Sequence, residues 1–149
     1  MRSVVTSGPQ VDSRRLIFAR SEVEETPGLD RLHENGMRQI FLRDRQSGTT
    51  ECLRLGVGGA QSDGNSYRPS ISDDGTIVAF QSVPNNLDPA DVNPSTGIPD
   101  IFVRDRVTGV TTLVSRDAAG GQALGFQSLP RLSADGRSVA FEGTAPGCL

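Results

Sequence analysis

Shifted by 61 residues, the sequence matches itself: positions 39–82 align with 100–143 without a gap, and 17 of those 44 positions are identical. The matched cores are QIFLRDRQSG against DIFVRDRVTG, and PSISDDGTIVAF against PRLSADGRSVAF. A repeat of this kind constrains the chain more than any other feature. Each copy is one supersecondary unit that cannot bury its apolar faces alone, so the copies must stack. A weaker third copy opens the chain, with PQVDSRRLIFA at 9–19 in the place of PSISDDGTIVAF and HENGMRQIFLRD following it. Five of the six phenylalanines, Phe18, Phe41, Phe80, Phe102 and Phe141, fall on two repeat positions. Regular placement of large rings marks them as core packing.

Within each copy, apolar residues alternate over short runs punctuated by glycine, the pattern of half-buried strands and hairpins. Asp74-Gly75 and Asp135-Gly136 supply tight turns, because glycine accepts positive φ without steric cost. The following strand is TIVAFQS or RSVAFEG. After a long loop comes QIFLRD or DIFVRD, and Gly48 or Gly109 then turns the chain into TTECLRL or VTTLVSR. The content of 17 Gly and 9 Pro suits many short elements joined by turns.

Ten strands follow, four to a full unit, each antiparallel to its sequence neighbour. The expected fold is therefore all-β, with antiparallel four-stranded blades of a β-propeller: blade 1 at about 9–55, blade 2 at about 68–116 and half a blade at about 129–143. A closed propeller takes about four to eight blades, so two and a half stay open. They require further blades, self-association or a capping partner.

The string SxDGxxVAF, a loop with an Asp-x-Asn element, and then DIFVRDRxTGxTTxVS resemble the WD-like propeller repeats of the TolB type, found in bacterial envelope and secreted proteins. The resemblance covers nearly the whole chain. It implies a scaffold, usually extracytoplasmic, that presents loops to a protein, peptide or carbohydrate partner. Fold alone does not choose among the activities propellers host.

The most chemically suggestive segment is NNLDPADVNPSTGIPD at 85–100, where Asp88, Asp91, Asn93 and Asp100 offer oxygens to a hard cation such as calcium. In the repeats this chain resembles, the corresponding loop reads Asp-x-Asn-Gly-x-x-Asp directly before the IF strand. Copy two supplies Asp91 and Asn93 but reaches Asp100 only after three extra residues. This makes Asp91, Asn93 and Asp100 the candidate calcium ligands. Copy one keeps Asn35 and Gly36 while His33 and Gln39 stand in place of carboxylates. The competing reading is that these residues form Asx-turns in a solvated loop. The recurring Arg43-Asp44-Arg45 and Arg104-Asp105-Arg106 likewise read as turn and strand-covering residues. Asp74 and Asp135 read as turn residues rather than general acids.

Other chemistries are poorly served. One histidine, His33, and the absence of a G-x-S-x-G element leave no nucleophilic triad. One His and two distant Cys do not make a zinc site. Cys52 falls where the other copy has Leu113, so it reads as a small core residue rather than half of a disulfide with Cys148. GVGGAQSDG at 56–64 lacks the Lys-Ser/Thr of a phosphate loop and reads as a blade connection. The fifteen basic residues are all arginine, scattered through a chain of net charge -3, so no phosphate track for nucleic acid is expected. No apolar run reaches the length of a membrane span or a signal peptide.

The expected function is a non-enzymatic scaffold contacting a protein or glycan. The alternative is the propeller portion of a larger enzyme, such as the gating propeller of a serine peptidase, with its catalytic part outside this chain. The segment between Phe80 and Asp100 is where the copies differ most, so specific function is expected there.

Overall fold

Alternation of apolar and polar residues, broken by Asp-Gly and Thr-Gly turns, gives nine antiparallel strands in a computed structural model that describes residues 15–20, 36–53, 56–83, 86–92 and 97–144. The first sheet has the order β1 (Arg15–Arg20), β2 (Gln39–Asp44), β3 (Thr49–Cys52). The second is complete: β4 (Ser66–Ile71), β5 (Ile77–Ser82), β6 (Asp100–Asp105), β7 (Val110–Leu113). The third holds β8 (Gln127–Leu132) and β9 (Val139–Gly143). The tenth strand expected from sequence falls within residues 9–14, outside the described residues. The strands that close the first two sheets end sooner than TTECLRL and VTTLVSR suggested. Past Leu113 the chain bends away so that Val114 and Ser115 both donate to the Ile101 carbonyl.

Among the described residues every strand pairs only with its sequence neighbours, which is the meander of a propeller blade. Adjacent blades pack face to face, β1 against β4 and β5 against β8, with β4 beside β8. Ile17, Ile40, Leu42, Leu53, Ile71, Val78, Phe80, Leu87, Phe102 and Leu113 form the shared core. The aromatic repeat positions pair across strands: Phe18 faces Phe41, and Phe80 faces Phe102. The rings of Phe80 and Phe102 stack with centroids 5.9 Å apart. Cys52 lies opposite Phe41 and is buried, the counterpart of Leu113 opposite Phe102.

Blades are also tied by polar contacts at the tight-turn end. Arg15 donates to the Asp74 carbonyl at 2.6 Å, and Arg106, held within its own blade by the Gly75 carbonyl at 2.6 Å, pairs with Glu51 of the preceding blade. Asp73 N–H donates to the Ala134 carbonyl, joining the Asp74-Gly75 turn to the Asp135-Gly136 turn.

The first strands of the second and third blades, β4 and β8, carry an irregularity that recurs at one repeat position. Arg68 and Leu129 have φ of 50° and 56°, each before a proline and each inside a register shift against the next strand. A non-glycine residue there costs about 1–3 kcal/mol and persists only where surrounding packing overdetermines it. Its recurrence makes it part of the blade's construction.

Candidate functional site

All strands of the second blade run between two ends. One carries the tight turns, and the other carries the long connections 83–99 and 114–126. Asp44 and Asp105, at the tight-turn end, each accept two backbone N–H groups through Oδ1, from Gln46 and Ser47 and from Val107 and Thr108. These donors hold both carboxyls below the usual range. Ser72 and Thr76 do the same for Asp74, whose pKa is lowered to about 2, and Ser133 and Arg137 act likewise on Asp135. A carboxyl stabilised as its anion by turn donors is a poor proton donor near neutrality. Arg43 and Arg104 reach across to Thr50 and Thr111 on the adjoining strand. The paired Arg-Asp motifs thus serve the blade, as their turn-forming reading expected.

The long-connection end is different. Asp88 is a staple: Oδ1 accepts the Ala90 N–H and Oδ2 accepts the Leu113 N–H at 2.7 Å, pinning the long loop to β7. Asp91 and Asp100 are brought together by Gln122, whose Nε2 donates to Asp91 Oδ1 at 2.9 Å and to Asp100 Oδ2 at 2.8 Å. The amide's oxygen accepts the Val92 N–H at 2.9 Å, and Ser115 Oγ donates to Asp100 Oδ1. Asp100 is buried, so these donors offset the cost of removing its charge from water. Asn93, His33 and Asn35 lie outside the described residues. Among the described residues, no group of three His, Cys, Asp or Glu side chains converges on a point. The Gln122 amide nitrogen bridges Asp91 and Asp100, so among the described residues these three form a hydrogen-bonded clasp. In the first blade, Gln39 takes the Asp100 position and donates to the Ser62 carbonyl.

Large apolar residues close in sequence to the clasp are exposed. Val92 is 76% exposed, Leu124 68%, Phe126 51% and Ile98 40%. Hydrogen bonds hold their segments side by side: the Val92 N–H to the Gln122 side-chain oxygen, the Gln127 N–H to the Pro99 carbonyl, and the Ala123 N–H to the Ser115 carbonyl. At the 61-residue offset, Leu124 and Phe126 stand where the first copy has Asp63 and Asn65. Sequence reasoning attended to 85–100 and passed over Gln122, Leu124 and Phe126. The signal was present as two polar-to-apolar exchanges within an inter-blade connection.

The fold and this end of it define an open arc of propeller blades presenting loops. No family model matches the chain, and no curated protein matches it. Among solved structures it is similar to TolB from Acinetobacter baumannii, at 16% identity, over 87% of this chain, with a TM-score of 0.42. The match spans 35% of that protein's length. Among the described residues no helix is long and apolar enough to cross a membrane.

Proposed function

We propose that this chain is a non-enzymatic binding scaffold that contacts a protein or glycan through the long-connection end of its second blade. One observation carries the reading: Val92, Ile98, Leu124 and Phe126 are solvent-exposed on segments locked together by the Asp91–Gln122–Asp100 clasp. Exposed apolar residues that cluster within a polar rim mark interaction surfaces, and loops on a rigid sheet are where propellers and other scaffolds place recognition. The likeness of the repeats to TolB-type propellers supports an extracytoplasmic partner at a bacterial envelope.

The experiment replaces the two apolar residues with those of the first copy, Leu124→Asp and Phe126→Asn, which the same backbone position already accommodates. Immobilised protein is presented with envelope proteins and with a glycan array. The expected result is specific capture that the double variant loses while its thermal midpoint stays within a few degrees. Capture unaffected by the variant, or none by the unaltered chain, overturns the proposal.

A further inference from the structure

Two arginines stand apart from the rest. Elsewhere the guanidinium groups serve the blades: Arg15 and Arg106 tie one blade to the next, Arg43 and Arg104 reach Thr50 and Thr111, and Arg116 caps the Leu113 and Gly120 carbonyls. Arg68 and Arg131 have no hydrogen-bond or ionic partner among the described residues. Each is the one exposed residue of its strand, Arg68 in β4 and Arg131 in β8. Nothing in the blade's construction calls for either. The counterpart of Arg68 in the next copy is Leu129, which has the same left-handed backbone, and the counterpart of Arg131 in the copy before is Ser70. A blade is therefore built without a cation at each place.

Both lie at one seam. β4 and β8 are the first strands of adjacent blades and pack beside each other, and the Leu132 N–H donates to Ser70 Oγ at 3.1 Å. Arg131 immediately precedes the donor of that bond, and Arg68 is two positions before its acceptor. At about 3.8 Å between successive Cα atoms, the two backbones lie within about 15 Å, a gap that two extended arginine side chains can close. The strands around them carry little negative charge. β4, β5 and β8 contain no Asp or Glu, and Glu142 of β9 stands opposite Ser128 rather than Arg131. Arg68 is also held on a pinned backbone, with φ of 50° ahead of Pro69 and inside the register shift of β4. A position fixed in advance loses less entropy when its side chain engages a ligand.

We propose that Arg68 and Arg131 together form a binding site for a phosphate group. Each guanidinium is a planar fork of N–H donors suited to bidentate contact with an oxyanion. Two forks ask for more acceptors than the pair of oxygens on a carboxylate, and a phosphate group supplies three or more. The net charge of the chain, -3, opposes diffuse attraction of anions, so binding rests on these two side chains. The phosphate is either free in solution or carried on a lipid headgroup, and both present the same oxygens to the seam. The site uses β4 and β8, apart from the exposed apolar residues of the proposed partner surface.

Titration calorimetry of the full chain with inorganic phosphate, at fixed ionic strength, should give heat that acetate does not reproduce. The variants Arg68→Leu and Arg131→Ser each introduce the residue of the other copy, so the backbone at each place is one a blade already accommodates. Each should weaken phosphate binding about tenfold, the worth of one hydrogen bond to a charged group, while the thermal midpoint stays within a few degrees. Arg68→Lys keeps the charge and loses the fork, so its affinity should fall between those of Arg68→Leu and the unaltered chain. Vesicles of phosphatidylcholine with and without phosphatidic acid separate the two sources. Co-sedimentation that needs phosphatidic acid and both arginines assigns the site to a lipid headgroup, and heat with free phosphate but no co-sedimentation assigns it to a soluble one. No heat at millimolar phosphate together with no co-sedimentation overturns the proposal, as does equal affinity for acetate or undiminished binding in the double variant. Leu124→Asp with Phe126→Asn should leave phosphate binding unchanged, so failure here and failure of the proposed function are read separately.

Discussion

Phe80 and Phe141 occupy one repeat position and follow the same Val-Ala, so replacing each with alanine compares identical chemistry in two environments. Phe80 is fully buried and stacks on Phe102 with 19° between ring planes. Phe80→Ala therefore removes the ring's transfer energy, leaves an enclosed cavity and loses the aromatic pair. The expected cost is about 3–5 kcal/mol. Phe141 is half-buried, with no third strand over it among the described residues. No closed cavity forms there, and about 1–2 kcal/mol of transfer energy is at stake. With a urea slope of about 2 kcal/mol/M, the midpoints should fall by about 2 M for Phe80→Ala and by less than about 1 M for Phe141→Ala. Urea unfolding followed by circular dichroism reads both, provided the slope is unchanged. Equal shifts would refute the reasoning, because they would mean that β9 is as well covered in solution as β5.

Three further outcomes follow from the geometry. Asp74, Asp44, Asp105 and Asp135 all have folded pKa values below the ordinary carboxyl value, with Asp74 lowered to about 2. Their contribution to stability is thus full above the unfolded carboxyl pKa and lost as pH falls through the folded one. Calorimetric midpoints should be level above about pH 5 and drop between about pH 4 and 2, less steeply in Asp74→Asn. Gly136→Ala should lower the midpoint more than Gly109→Ala. Both glycines have φ near 70°, a cost of about 1 kcal/mol for alanine, but a Cβ at 136 also meets Ile77 of the second blade at 2.9 Å. Calcium at millimolar concentration should give no heat in titration calorimetry, because Gln122 already bridges Asp91 and Asp100. Heat that disappears in Asp91→Ala would show an ion displacing that amide.

Strand identity, hairpin turns and register were legible in the sequence, because each is a local matter of alternation, Asp-Gly chemistry and a repeat that aligns Phe with Phe. The roles of Asp44, Asp74, Asp105 and Asp135 were legible for the same reason: their partners lie within three residues. The clasp was only half legible. Asp91 and Asp100 stood out as acidic residues in one loop, but Gln122 lies 31 and 22 residues away from them, on a connection whose approach depends on where β7 ends. Leu124 and Phe126 are exposed for the same reason, since no local pattern says which face of a connection meets solvent. The sequence by itself determined the blade, because backbone pairing between neighbouring strands is a short-range consequence of residue order. Tertiary structure alone decided that Gln127 is fully buried, since burial depends on which blades pack against it and not on its neighbours in sequence.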